Sequence, residues 1–204
     1  DQKLKEGDEI VWQAETRNNV EMLFFTNKAQ VYKSRAGDFE DGKASQMGAF
    51  VASTLGMDEG ELPIFLQLTA DYSGWMLFFF ANGKCAKVPL RVYQTKQNRR
   101  KLLNAYSDKE ELARMLFIPE ETEIAVRTSA GRMLLVGTAQ IGEKTTRDSI
   151  GVGVVTLRKN QKIVSVRPAA ELEIADPHRY RVRTLPAVGA LLRDEDAAEQ
   201  MTLL

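Results

Sequence analysis

The chain has 204 residues, 44% of them hydrophobic, and its 28 basic and 28 acidic side chains give no net charge at neutral pH. That length supports a core needing neither metal nor disulfides, and the single cysteine, Cys85, excludes an internal bridge and gives no sign of an oxidising compartment. No apolar run approaches the roughly 18 residues of a membrane-spanning helix, and the opening Asp1, Gln2, Lys3, Lys5 and Glu6 lack the apolar stretch of a signal peptide, so a cytoplasmic setting without membrane attachment is expected.

In chain order, the first residue is Asp rather than Met, and Lys5-Glu6-Gly7-Asp8-Glu9-Ile10 reads like the end of an earlier unit, which suggests a fragment of a longer polypeptide. Residues 9–16 and 21–26 are read as strands joined at Arg17-Asn18-Asn19, and 30–33 as a third after the turn at Asn27-Lys28. Aromatic and β-branched residues dominate all three. Residues 38–48 are a polar loop, and 49–55 an apolar fourth strand or a short helical turn, closed by Asp58-Glu59-Gly60-Glu61. A second unit follows the same order, with Ala81-Asn82-Gly83-Lys84 as its hairpin turn, the Asn-Gly pair being a strong short-range hairpin signal. A polar, basic insertion then runs from 93 to 109, and residues 109–115 have helical composition. The third unit runs from Glu123 to Val166, with Gly151-Val152-Gly153-Val154-Val155 in the place of the fourth strand. After Pro168 the pattern fades. Residues 178–183 are read as one more strand, and Asp194-Glu195-Asp196 begins an acidic terminal segment.

The units are marked by a recurring tetrad: Met22-Leu23-Phe24-Phe25, Met76-Leu77-Phe78-Phe79 and Met133-Leu134-Leu135-Val136, with offsets of 54 and 57 residues between the Met positions. Eleven residues after each Met stands a lysine, Lys33, Lys87 or Lys144. A period near fifty built from short strands predicts an all-β, propeller-like array, because one such unit cannot bury its apolar face without a stacked neighbour. We place the repeats at about 9–61, 62–121 and 122–168 of a single domain spanning 1–204. Residues 169–204 are a closing strand and acidic tail, which either completes the ring against the first residues or docks across one face.

The zero net charge hides a segregated distribution. From Tyr72 to Ser107 there is no acidic residue, yet the stretch holds Lys84, Lys87, Arg91, Lys96, Arg99, Arg100 and Lys101. Removing these seven from the total of 28 leaves 21 basic residues against all 28 acidic ones. A second acid-free stretch, residues 149–170, adds Arg158, Lys159, Lys162 and Arg167. Such segregation creates a local positive field.

The pattern of Glu-Ile, an apolar strand, Leu-Phe-Phe-Thr-Asn, a short turn and a lysine-ended strand resembles the carboxy-terminal β-pinwheel of type IIA DNA topoisomerase A subunits, the gyrase A and topoisomerase IV A family. Asn82-Gly83-Lys84-Cys85-Ala86-Lys87-Val88-Pro89-Leu90, Tyr93-Gln94-Thr95-Lys96-Gln97-Asn98-Arg99-Arg100-Lys101-Leu102 and Asn104-Ala105-Tyr106-Ser107 are similar to stretches of a Firmicutes branch, as are Lys144-Thr145-Thr146-Arg147-Asp148 and Asp176-Pro177-His178-Arg179-Tyr180. The resemblance implies a ring of four-stranded blades that exchange a strand between neighbours, with duplex DNA bent around a basic perimeter. Three blades are visible, and a fourth could be assembled from the tail plus the amino-terminal strand. The glycine-containing Gln-Arg-Arg-Gly-Gly-Lys/Arg-Gly box of gyrase is absent, its nearest string being Gln97-Asn98-Arg99-Arg100-Lys101, which favours relaxation and decatenation over negative supercoiling.

By the same resemblance, the partners are duplex DNA, the remainder of the parent polypeptide and an ATPase B subunit, in the bacterial cytoplasm near the nucleoid. ATP and Mg would be used elsewhere in the parent enzyme, and this fragment carries no catalytic residue, cofactor site or metal site. The expected phosphate contacts are Lys84, Lys87, Arg91, Lys96, Arg99, Arg100 and Lys101, with Lys33, Arg35, Lys144, Arg147, Arg158 and Lys159 on adjoining blades. The plain alternative for a strand-ending lysine is that it keeps a sheet edge soluble. The rival for the whole chain is a propeller used for protein contacts or as a scaffold without DNA binding. Cys85 reads as a buried structural thiol and His178 as a loop residue beside Pro177, with no set of soft ligands for zinc.

Overall fold

The computed structural model describes residues 20–35, 47–96 and 99–198. Among these residues, twelve strands form three antiparallel four-stranded sheets. The first sheet has the order β3 (Pro63–Thr69), β1 (Glu21–Thr26), β2 (Val31–Arg35), β6 (Lys101–Leu102). The second has β7 (Leu112–Ile118), β4 (Trp75–Phe80), β5 (Lys84–Pro89), β10 (Val152–Gly153). The third has β11 (Ile163–Pro168), β8 (Glu123–Thr128), β9 (Arg132–Gly137), β12 (Ala190–Leu191).

Each sheet is built on a central hairpin, β1–β2, β4–β5 or β8–β9, and borrows its flanking strands from later chain. The edge beside β2 is supplied by β6, which follows β5; the edge beside β5 is supplied by β10, which follows β9. Strand exchange between consecutive units therefore ties the first sheet to the second and the second to the third.

The alternation of side chains along a strand decides where the core lies. Leu23, Phe25 and Val31 of the first sheet meet Met76, Phe78, Phe80, Ala86 and Val88 of the second. Phe25 stands edge-on to Phe78 at 5.9 Å and to Tyr93 at 5.2 Å between ring centroids, favourable aromatic geometry. The opposite face of the second sheet, with Leu77, Phe79 and Cys85, packs on Ile124, Val126, Leu134 and Val136 of the third. The middle sheet is thus buried on both faces, which explains why Met76-Leu77-Phe78-Phe79 has no polar alternation. The outer faces of the two terminal sheets are also covered. Met22, Phe24 and Tyr32 lie against helix α1 (Met47–Thr54) through Val51, and Ala125, Met133 and Leu135 lie under Tyr180 and the tail residues Leu172 and Ile174.

Three sequence expectations change here. Residues 109–115, helical by composition, lead into β7, because pairing of β4 with β7 from Trp75↔Ile118 to Phe80↔Leu112 outweighs the helix preference of Glu110, Glu111 and Ala113. The strand expected at 178–183 starts instead as the short helix α2 (Pro177–Tyr180), with Pro177 in its first turn, where proline's missing amide is no loss. The third tetrad is shifted by one strand. Met133-Leu134-Leu135-Val136 lies on β9, the counterpart of β2 and β5, whereas the counterpart of β1 and β4 is β8. Both inner strands of the third sheet are apolar, so self-similarity alone does not separate them. Of the alternatives for residues 49–55, the helix is realised. The tail adds β12 to the third sheet and covers that sheet's outer face. The strand expected at 9–16, which would share in a fourth blade, lies outside the described residues.

Candidate nucleic-acid interface

The register assigns the recurrent lysines first. Lys33 lies opposite Leu23, and Lys87 opposite Leu77, so each points into the gap between its own sheet and the next. Lys33 is 9% exposed and Lys87 3%. The Lys33 ammonium donates to the Tyr93 carbonyl at 3.2 Å and to Thr95 Oγ1 at 2.9 Å, and lies 5.7 Å from the centre of the Tyr72 ring. Lys87 donates to the Thr138 carbonyl at 3.1 Å, pairs with Glu121 and sits 5.0 Å from the Trp75 ring centre. Tyr93 and Thr138 belong to equivalent 3-10 turns, Leu90–Tyr93 after β5 and Thr138–Gln140 after β9. Each lysine therefore staples its sheet to the turn of the following one. Burial lowers the Lys33 ammonium below its ordinary value, with the Glu21 carboxylate opposing.

The same position in the third sheet is Leu135, opposite Ala125. Its neighbours on that face are Tyr180 and apolar residues of the tail, so a leucine fits where an ammonium would meet apolar side chains. Lys144 is not the third member of the series: it lies past β9, half-exposed, with its amide on the Lys87 carbonyl at 2.8 Å. Lys33 and Lys87 thus have no free ammonium to offer a phosphate. The sequence carried a signal for this, since Lys87 sits inside the apolar run Cys85-Ala86-Lys87-Val88-Pro89-Leu90.

The remaining candidates separate into two regions. Lys96, Arg99, Arg100 and Lys101 lie on the segment that feeds β6, all exposed. The Lys33 amide donates to the Arg100 carbonyl at 2.7 Å while its ammonium holds Thr95, which brings the Lys96 and Arg100 ends of the segment to one strand. Arg35 ends that strand. Arg147 joins from the third unit, reaching the Leu103 carbonyl at 3.2 Å and the Val92 carbonyl at 3.5 Å. Arg91, on the turn that precedes this segment, and Lys101 are engaged by carboxylates distant in sequence. Arg91 bonds Glu143 at 3.1 Å, and Lys101 lies 3.4 Å from Asp58 and over the Tyr32 ring. The Trp75 indole N–H at 2.8 Å, and after it Arg91, hold the Glu143 carboxyl below the usual range. Lys96, Arg99, Arg100 and Lys144 have no carboxylate partner among the described residues.

Lys84, Arg158 and Lys159 lie at the other end of the sheets. Lys84 opens β5 just after the Asn82-Gly83 turn, and the chain leaves that turn through Val154 and Val155, whose amides both donate to the Gly83 carbonyl, to reach Arg158. Lys162 and Ser129 exchange bonds through the Ser129 amide and hydroxyl, placing this turn beside the β8–β9 hairpin loop. The thirteen cations do not form one cluster.

Among the described residues, no three His, Cys, Asp or Glu side chains are grouped to hold a metal ion, and no helix is long and apolar enough to cross a membrane. Cys85 is fully buried, which pushes its thiol well above the ordinary value. His178, in α2, faces Arg181 at 3.4 Å.

No protein-family model matches the sequence. The A subunit of DNA topoisomerase 4 from Staphylococcus aureus is 22% identical over 171 residues, covering 82% of this chain and 21% of the relative. The chain thus spans about a fifth of the length of the curated relatives it matches. Among solved structures, the C-terminal domain of a DNA topoisomerase IV superposes with a TM-score of 0.62 at 21% identity, over 74% of this chain and 47% of that one. A DNA gyrase A C-terminal domain superposes with a TM-score of 0.52 at 14% identity, over 77% and 50%. With its exchanged four-stranded sheets, the chain is a β-pinwheel of the kind that forms the C-terminal domains of topoisomerase IV and gyrase A subunits.

Proposed function

We propose that the chain binds and bends duplex DNA without sequence preference, as the C-terminal domain of a type IIA topoisomerase A subunit, and presents that DNA to a cleavage core elsewhere in the enzyme. The observation that carries this reading is the set of exposed cations Lys96, Arg99 and Arg100, which have no carboxylate partner among the described residues of a protein of zero net charge. Arg35 and Arg147 border the group; Arg91 and Lys101 join it only by exchanging a carboxylate for a phosphate. Lys84, Arg158 and Lys159 are a second contact region that a bent duplex would reach. Phosphate contacts of this kind position DNA without reading bases. Bending costs on the order of 1–6 kcal/mol for a modest arc, so several spaced cations must offset it.

The partners in this reading are duplex DNA, the rest of the parent polypeptide and the ATPase subunit, with ATP and Mg consumed there, in the cytoplasm at the nucleoid. Titration of a linear duplex at several salt concentrations tests it. Affinity is expected to fall with salt at a slope of about 0.9 per phosphate contacted. Arg99→Glu with Arg100→Glu and Lys144→Glu should flatten that slope by about two to three contacts. Undetectable or salt-independent binding at low ionic strength would instead support a propeller-like protein-interaction or scaffold domain.

A further inference from the structure

We propose that Arg147 is a positioning residue, a clamp that sets how the basic segment faces DNA, rather than a phosphate contact; this rests on the DNA-binding reading above. Its guanidinium bonds two main-chain carbonyls on either side of that segment, Leu103 at 3.2 Å and Val92 at 3.5 Å. Its third nitrogen, Nε, is buried and has no partner among the described residues. A cation meant for phosphate keeps its donors in solvent, whereas this one turns one N–H of each terminal nitrogen to backbone and buries its Nε–H, three of its five donors. The planar fork can hold two acceptors at once, which a lysine ammonium on a flexible stem does not reproduce.

Other bonds at the same base give the clamp a rigid seat. Tyr93 donates its hydroxyl to the Ala105 carbonyl at 2.7 Å, and Lys33 holds Tyr93 and Thr95 from the first sheet. Arg147 arrives from the third unit, on the return segment whose Lys144 amide bonds Lys87 in the second sheet. The chain on both sides, at Val92 to Thr95 and at Arg100 to Leu103, is thereby held from more than one repeat. A segment rich in charge and poor in apolar anchors opens locally at little free-energy expense unless its ends are held.

The test uses the 204-residue chain with Arg147→Gln and Arg147→Lys, read with and without DNA. Without DNA, limited trypsin digestion should cleave after Lys96, Arg99, Arg100 and Lys101 about tenfold faster in both variants, with cleavage at all other sites unchanged except position 147, which Arg147→Gln removes. With DNA, Arg147→Lys should fail to restore affinity although it keeps the charge. Arg147→Gln should flatten the salt slope by more than the single contact expected of one lost phosphate partner, and add little in an Arg99→Gln, Arg100→Gln background. Unchanged cleavage rates, with full rescue by lysine and a loss of one contact that adds to the others, would overturn the clamp and make Arg147 an ordinary contact. If the parent chain binds no DNA at any salt concentration, the DNA-binding reading fails, and the cleavage rates alone decide whether Arg147 holds the segment.

Discussion

At the scale of single residues, the two buried lysines are the clearest departure from what their sequence context suggests. A lysine closing an exposed strand is ordinarily a soluble edge or a ligand for anions, yet Lys33 and Lys87 are consumed by carbonyls and aromatic faces of the next unit. Lys87→Met should therefore act on stability and not on DNA. It leaves the Thr138 carbonyl without its ammonium and Glu121 without its cation, though the Thr138 hydroxyl still donates to that carboxylate, and because Glu121 is 38% exposed the loss should be moderate, about 1–3 kcal/mol. A lower denaturant midpoint with duplex affinity unchanged is the expected result. Unchanged stability with weakened binding would return Lys87 to the contact surface. Exposed cations such as Arg99 and Arg100 were legible as candidates because no acid lies near them in sequence. The pairing of Arg91 with Glu143 and of Lys101 with Asp58 was not, since these partners are 52 and 43 residues apart and meet only through the stacking of sheets.

At the scale of elements, the central hairpins were readable and their flanking strands largely were not. The expected strand at 21–26 matches β1, and the Asn82-Gly83 signal falls on the β4–β5 turn, because tight turns and dense apolar runs are local facts. By contrast β6, β10 and β12 are two-residue strands whose pairing is set by chain far away, with too few positions to show a period. Gly83 shows how such a distant strand constrains a local turn. Its φ is +84°, and an added Cβ would overlap the Val155 carbonyl, while its own carbonyl receives the amides of Val154 and Val155. Gly131, in the β8–β9 turn, also has positive φ, at +69°, but open space around it. Gly83→Ala should thus cost about 2–3 kcal/mol by combining backbone strain with displacement of the returning chain, against about 1 kcal/mol for Gly131→Ala. Equal destabilisation in denaturant melts would show that the return through Val154 and Val155 adds nothing to the turn.

At the scale of the whole molecule, three sheets of alternating apolar contact leave every tyrosine of the chain doing structural duty. The phenols of Tyr32, Tyr72, Tyr93, Tyr106 and Tyr180 are all raised above the ordinary value of 10.0, first by burial, and for Tyr32, Tyr72 and Tyr180 also by the carboxylates of Glu61, Glu21 and Asp196 that accept their hydroxyl protons. A group raised on folding holds its proton longer in the native than in the unfolded state. Its stabilising contribution is complete below the unfolded value and falls as pH rises beyond it. Lys33 works in the opposite sense, since its depressed ammonium favours folding increasingly as pH climbs toward 10.5, but it is one group against five. Stability should consequently decline once pH passes about 10. Because the rings sit between sheets, beside helix α1 or under the tail, tyrosinate absorbance should appear together with loss of near-ultraviolet circular dichroism in a single transition. Phenolates that titrate near 10.0 while the near-ultraviolet signal persists would mean that these hydroxyls face solvent and that the sheets are not held together as described.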